Sequence, residues 1–335
     1  MGFETLHNEN RFFKENRVAV PSGKVVTWKA NDKRSIEPLD GTELQQVPQE
    51  IYYPKVDGPF WNPSYIQTEW WLDASDASTI TVSGGTVEEF ADKSGNGYDM
   101  MNTSADRYPD TGVTSVNGLN TIYFDNLDGP PNWDPDNLRW LQMESGPQND
   151  SDAISIAVFK SNILGIIDPN VGNHLNNPID RIFSFQQGSS TRWSLQIATD
   201  DGLTGYIRYA QSDRYTFATS SNTFTTGGPH IASGYRNGSA FYAGLDGAYG
   251  EPNLLGADDT DVSRWVLGGY ARNAYPSGPI ADRCDQMELA ELIIVKEYSL
   301  ELLQKLEGYL AHKWGTAASL PDNHPYKSYA PGVSV

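Results

Sequence analysis

From Trp70 onward the chain runs in β-prone stretches of about five to eight residues, each closed by a cluster of turn formers, and this rhythm excludes most architectures. The stretches fall at 69–73, 120–124, 138–143, 153–160, 181–186, 192–198, 204–210, 229–235, 239–246, 263–268 and 286–296. Between them lie SGNG at 94–97, DDG at 200–202, RNG at 236–238 and DG at 246–247, short clusters that tolerate the positive φ of tight turns. No fixed period links the stretches, which argues against a propeller or solenoid and leaves a β-sandwich. Composition agrees: 12% aromatic residues with 31 glycines and 20 prolines suits many short strands and turns better than a helical bundle.

One segment breaks the rhythm. SLELLQKLEGYLAHKWG, residues 299–315, carries Leu302, Leu303, Leu306, Tyr309, Leu310 and Trp314 at helical period. Ser299 is a good N-cap, Glu301 sits in the first turn, and Gly315 supplies the stop. Its apolar face is expected to dock on the end or edge of the sandwich, with His312 and Lys313 solvated at the helix end.

Residues 1–65 lack the strand rhythm. A small hairpin is expected around Pro21-Ser22-Gly23. Beyond it Pro48, Pro54, Pro59 and Pro63 punctuate an extended stretch, since proline cannot pair fully inside a sheet. With Phe12, Phe13, Tyr52, Tyr53, Phe60 and Trp61 along it, this leader reads as a docking arm for a partner, and residues 66–335 as the sandwich domain.

The net charge of −19 is unevenly placed, because residues 1–65 hold 8 Lys/Arg and 9 Asp/Glu and leave 16 and 34 for the remainder. An acidic body repels phosphate backbones, so nucleic-acid binding is not expected. Cys284 is the single cysteine, which rules out an internal disulfide and any site built from several thiolates. The amino terminus has no apolar run of signal-peptide type and no membrane-length apolar stretch follows, so synthesis in the cytoplasm without general secretory export is expected.

Three stretches carry a family resemblance: WWLDASDASTI at 70–80, VEEFADKSGNGYDM at 87–100, and the closing segment from Met287 to Lys327. Together they resemble the concanavalin A-like lectin/glucanase (laminin-G-like) jelly-roll domains found in phage and marine bacterial surface proteins. The resemblance implies an all-β, two-sheet antiparallel jelly-roll sandwich with one concave sheet. To it the helix and the extended arm are added.

Some relatives of that fold hydrolyse glycosides, which takes two carboxyl groups on one cleft, often from a strand motif E-x-D-x-x-E. No such motif occurs. Glu288 and Glu291 in MELAELIIV are three apart, a spacing that puts them on opposite faces of a regular strand. No G-x-S-x-G, H-E-x-x-H or Walker loop occurs and the histidines are scattered, so no catalytic residue is assigned and an enzyme is not expected. Calcium is the inorganic ligand considered, with Asp258, Asp259 and Asp261 as its candidate set, although the EF-hand glycine is missing. For a sugar, Trp133 with Asp134 and Tyr270 with Arg272, Asn273 and Tyr275 offer aromatic faces beside polar groups.

A lectin-like body without an export signal fits a virion, whose parts are made in the host cytoplasm and reach the exterior on lysis. The expectation is a phage structural protein, a capsid decoration or tail/fibre subunit, held by its arm to capsid or tail proteins and displaying a face for glycans. A free carbohydrate-binding or adhesion protein is the alternative, and a glycan hydrolase the second alternative. Homo-oligomerisation is compatible with each.

Overall fold

The computed structural model describes residues 15–19, 25–29, 60–102, 105–125, 139–143, 145–147, 152–162, 179–187, 190–199, 204–211, 217–254, 264–269 and 286–332. In the leader, β1 (Glu15–Ala19) and β2 (Val25–Lys29) pair antiparallel with Glu15 opposite Lys29, the hairpin expected around Pro21-Ser22-Gly23. The chain divides into two compact units, Met1–Asp57 and Gly58–Val335, so residues 58–65 belong to the second unit and not to an arm ending at residue 65.

The second unit is all-β apart from one α-helix and short 3-10 turns among the described residues. Its strands are β3 (Trp70–Asp73), β4 (Ile80–Ser83), β5 (Thr86–Phe90), β6 (Met100–Met101), β7 (Asp110–Val116), β8 (Leu119–Phe124) and β9 (Leu141–Met143). There follow β10 (Ala153–Ser161), β11 (Ile179–Gln187), β12 (Ser190–Thr199), β13 (Gly205–Gln211), β14 (Ala218–Thr219), β15 (Pro229–Asn237) and β16 (Ala240–Leu245). The series closes with β17 (Ala248–Tyr249), β18 (Asn253–Leu254), β19 (Arg264–Leu267) and β20 (Met287–Val295), before α1 (Leu300–Trp314).

All pairings are antiparallel. From β16 the ladder runs through β15 and β10 to β20, which pairs β3 along one half of its free edge and β8 along the other. It continues through β7, β5, β6, β9, β19, β11, β12, β13 and β14. The expected pair of separate sheets is therefore replaced by one continuous ladder, rolled almost into a barrel, whose halves face each other across a core. Short strands such as β6 carry the hydrogen bonding from one half to the other. Trp70 of β3 meets Trp265 of β19 at 5.4 Å between ring centroids, and Trp193 of β12 meets Trp265 at 5.3 Å, so aromatic rings tie the halves together.

A second core lies on the outer side of the β3–β20–β10–β15 half. β10 and β20 read AISIAVFKS and MELAELIIV, apolar on both faces, the pattern of strands covered on both sides. Ile154, Ile156, Val158, Ile231, Ile293 and Val295 pack there against Leu303, Leu306, Leu310 and Trp314 of α1. The helix accordingly covers a sheet face and not the expected edge, because the apolar second face of β10 and β20 requires a cover. Ser299 caps it by accepting from the Leu302 N–H, and Gly315 ends it at φ 76°.

Candidate functional site

The site grows from one strand irregularity. β20 slips against β10, Glu291 facing Val158 and Leu289 facing Phe159, so Ala290 is an extra, bulged residue. Leu289 and Leu292 both point into the inner core while Ala290 and Ile293 point to the helix side. The bulge cancels the odd spacing, and Glu288 and Glu291 share the helix-side face, contrary to the expectation for a regular strand. Different lysines hold them: Glu288 takes Lys160 Nζ at 2.7 Å, and Glu291 takes Lys313 Nζ at 2.7 Å.

Glu291 is fully buried. Its Oε1 accepts from Trp71 Nε1 at 2.8 Å and the Tyr309 hydroxyl at 3.0 Å, while Oε2 accepts from Trp314 Nε1 at 2.7 Å and Lys313. Directly across the ladder stands Asp73 of β3. Two like charges in register repel, and Lys313 resolves the conflict by donating to Asp73 Oδ1 at 2.8 Å as well. Lys313 thus closes an ion-pair network and is not the solvated helix end expected; His312 likewise meets the Tyr326 carbonyl oxygen through Nε2 at 2.8 Å. Tyr309, Lys313 and Trp314 lie four and five residues apart on one helical face, which is how a single carboxylate engages all three.

Asp73 Oδ2 accepts from Lys93 Nζ at 2.9 Å, and Lys93 also reaches Asp76 at 2.7 Å while lying 4.6 Å from the Trp71 ring centroid. Lys93 belongs to a loop that Asp92 organises by accepting from the backbone N–H groups of Trp71, Ser94 and Tyr98. Burial pushes the Glu291 carboxyl above its ordinary range despite the Lys313 charge. Burial acts on Asp73 in the same direction, but Lys313, Ser75 and Lys93 outweigh it and hold Asp73 low. Asp76 is held at about 2 by its hydrogen bonds from Lys93 and Ser78.

Over this floor opens a depression of about 490 Å³ lined by Phe60, Trp61, Asn62 and Ser64 on one side and by Trp71, Asp73, Lys93 and Tyr309 on the other. Trp61, expected in a partner-docking arm, is buried at 4% exposure with its ring edge-on to Tyr309 at 6.2 Å. Its N–H donates to the Pro331 carbonyl oxygen, and Phe60 forms a β-bridge with Gly332, so this segment folds back on its own body. The Phe60 side chain stays 70% exposed at the rim. Asn62 Oδ1 accepts from the Ser64 N–H, and the amide nitrogen of Asn62 has no hydrogen-bond partner among the described residues.

The remaining nominated residues are not brought together by what is described. Phe12, Phe13, Tyr52 and Tyr53 of the arm, Trp133, Asp134, Tyr270, Arg272, Asn273 and Tyr275 of the sugar platforms, and Asp258, Asp259 and Asp261 of the calcium set all lie outside the described residues. Among the described residues no group of three or more His, Cys, Asp or Glu side chains is placed to hold a metal ion, and no helix is long and apolar enough to cross a membrane. Trp71, Asp73, Lys93 and Tyr309 were not nominated. The signal for them was Glu291 itself, a carboxylate inside an apolar run that must find donors when buried.

No family model matches the chain. No curated protein matches either. Among solved structures, the binding domain of botulinum neurotoxin serotype G is similar at 12% identity and a TM-score of 0.44, over 72% of this chain and 50% of that one. A Trypanosoma rangeli sialidase mutant displaying trans-sialidase activity is similar at 9% identity and 0.43, over 71% and 32%. The CBM40 of Ruminococcus gnavus IT-sialidase, bound to α2,3-sialyllactose, is similar at 11% identity and 0.31, over 46% and 80%. This chain spans half or less of the length of the first two. Likeness at this level carries nothing about the chemistry of this chain.

Proposed function

We propose that the second unit is a non-catalytic, concanavalin A-like binding module that receives a saccharide in the depression between Phe60 and Tyr309. The observation that carries this reading is the lining itself. Aromatic rings give a pyranose an apolar face to stack on, and Asn62, Ser64, Asp73 and Lys93 supply the hydrogen bonds its hydroxyls require. The floor is held rigid by the Glu291–Lys313–Asp73 network, so little ordering is left for the binding step. The same network disfavours catalysis. Glu291 spends both oxygens on four donors and Asp73 is neutralised by two lysines, which leaves neither free to take or give a proton.

The test is a glycan array followed by saturation-transfer NMR on the intact chain. A neutral hexose or oligosaccharide should bind, and Phe60→Ala should weaken it about two- to tenfold with unchanged melting, since stacking is worth about 0.5–1.5 kcal/mol. Release of reducing sugar, or binding indifferent to Phe60→Ala, would overturn the reading.

A virion role is a second reading, compatible with the division at Asp57/Gly58, which sets apart a leader with its own hairpin. In it, Phe12, Phe13, Tyr52 and Tyr53 grip capsid or tail proteins while the module faces outward. Protease cleavage within residues 1–57 of the free chain but not of purified particles would support it; equal cleavage in both would exclude it.

A further inference from the structure

The polar groups around the depression over the Glu291–Lys313–Asp73 network divide into those already spent and those still spare. Lys93 is spent: it donates to Asp73 at 2.9 Å, reaches Asp76 at 2.7 Å and lies 4.6 Å from the Trp71 ring centroid. Lys313 is spent on Asp73 at 2.8 Å and Glu291 at 2.7 Å. Three carboxylates thus share two lysines, and neither ammonium is left for a carboxylate on a ligand. Lys305 stands 5.4 Å from the Trp61 ring centroid but does not line the depression. In a chain of net charge −19, an anionic sugar therefore meets repulsion without a compensating partner.

The spare groups complement one another. Asn62 Nδ2 and the Ser64 hydroxyl have no partner among the described residues, so one wall offers donors. On the other wall Asp73 Oδ1 already takes Ser75 and Lys313, whereas Oδ2 accepts from Lys93 alone and keeps a lone pair for one more donor. A donor and an acceptor lining one space fit a secondary amide, whose carbonyl oxygen and N–H point in opposite directions. Phe60, Trp61 and Tyr309 add three rings, more apolar surface than the single face of one pyranose covers, and a methyl group fills the remainder. We infer that the depression takes a 2-acetamido sugar, an N-acetylhexosamine. Asn62 donates to its acetyl carbonyl oxygen, Asp73 accepts from its amide N–H, and the acetyl methyl lies against the rings. This inference rests on the saccharide-binding reading above and names the class of sugar.

The probes are N-acetylglucosamine, glucose and glucuronate, each titrated into the intact chain and followed by NMR. N-acetylglucosamine should bind at least about tenfold tighter than glucose, through one added hydrogen bond and one buried methyl group. Glucuronate should bind no tighter than glucose. In saturation-transfer spectra the acetyl methyl protons should be the most strongly saturated of the sugar. Asn62→Asp keeps an oxygen to accept from the Ser64 N–H but removes the spare donor, so it should abolish the preference for the acetamido sugar. The sugar comparison and the methyl signal need no substitution, so they decide the matter even if that variant fails to fold. Equal binding of N-acetylglucosamine and glucose, tighter binding of glucuronate, a methyl no more saturated than the ring protons, or full preference in a folded Asn62→Asp would each overturn the inference. If another sugar on the array binds and is weakened by Phe60→Ala, the saccharide reading survives that failure; if no sugar binds, both fall.

Discussion

Replacing Glu291 by glutamine changes one atom of the side chain and tests the whole helix-side arrangement. The carboxylate presents two oxygens, Oε1 to Trp71 Nε1 and the Tyr309 hydroxyl, Oε2 to Trp314 Nε1 and Lys313 Nζ. In either orientation an amide puts an NH₂ group where one oxygen was, and two buried donors then face a donor. Each orphaned donor costs about 1–3 kcal/mol. Part of that loss is offset, because burial raises the Glu291 carboxyl and carrying its charge is itself unfavourable at neutral pH. Lys313 also keeps Asp73 as a partner. The net expectation for Glu291→Gln is a loss of about 3 kcal/mol, or roughly 6–12 °C in Tm for a body of this size. Urea titration followed by tryptophan emission is the assay. A cycle with Lys313→Met should show coupling of at least about 1 kcal/mol between the two positions. A loss under about 1 kcal/mol, with no coupling, would refute the claim that this carboxylate clamps the helix to the sheet.

Two further outcomes follow from the same face. Gly308→Ala improves intrinsic helix propensity by about 1 kcal/mol, but the added methyl would overlap the Cβ and ring of Tyr326, so the variant should melt lower than the parent; a higher Tm would show that the tail yields easily. Asp73 and Asp76 both sit below their unfolded values, so their contribution is complete above about pH 4 and is lost as pH falls towards about 2. Acid unfolding monitored by circular dichroism should therefore steepen in that window, and Asp76→Asn should flatten it; an unchanged slope would contradict the assignment.

Much of the strand pattern was legible because burial leaves a periodic trace. β10, β12, β15 and β20 fall within one or two residues of the stretches read from sequence. The β4–β5 hairpin was missed although Gly84-Gly85 marks its turn at φ 64° and 94°, because ITVS buries no residue and TVEEF buries Val87 and Phe90 three apart across a register shift, which breaks the two-residue alternation of a regular strand. The helix was legible, its seat was not: that depended on reading β10 and β20 as covered on both sides. The bulge at Ala290 left no mark in composition or period, so the face of Glu291 could not be assigned from spacing. The stretches that carried the family resemblance do converge in space, Trp71 and Asp73 from the first, Lys93 from the second, Glu291, Tyr309 and Lys313 from the third. Their meeting depends on pairings 220 and 240 residues apart, which local pattern cannot reveal.

The bridge between Phe60 and Gly332 has a topological outcome of its own. Because the two segments abut, the body could be re-threaded, its old extremities fused by a brief linker and new ones opened at the exposed Gly84-Gly85 tip, without stretching the backbone. By the same token it could be grafted into a surface loop of a host protein and leave that host's two flanking strands nearly where they were.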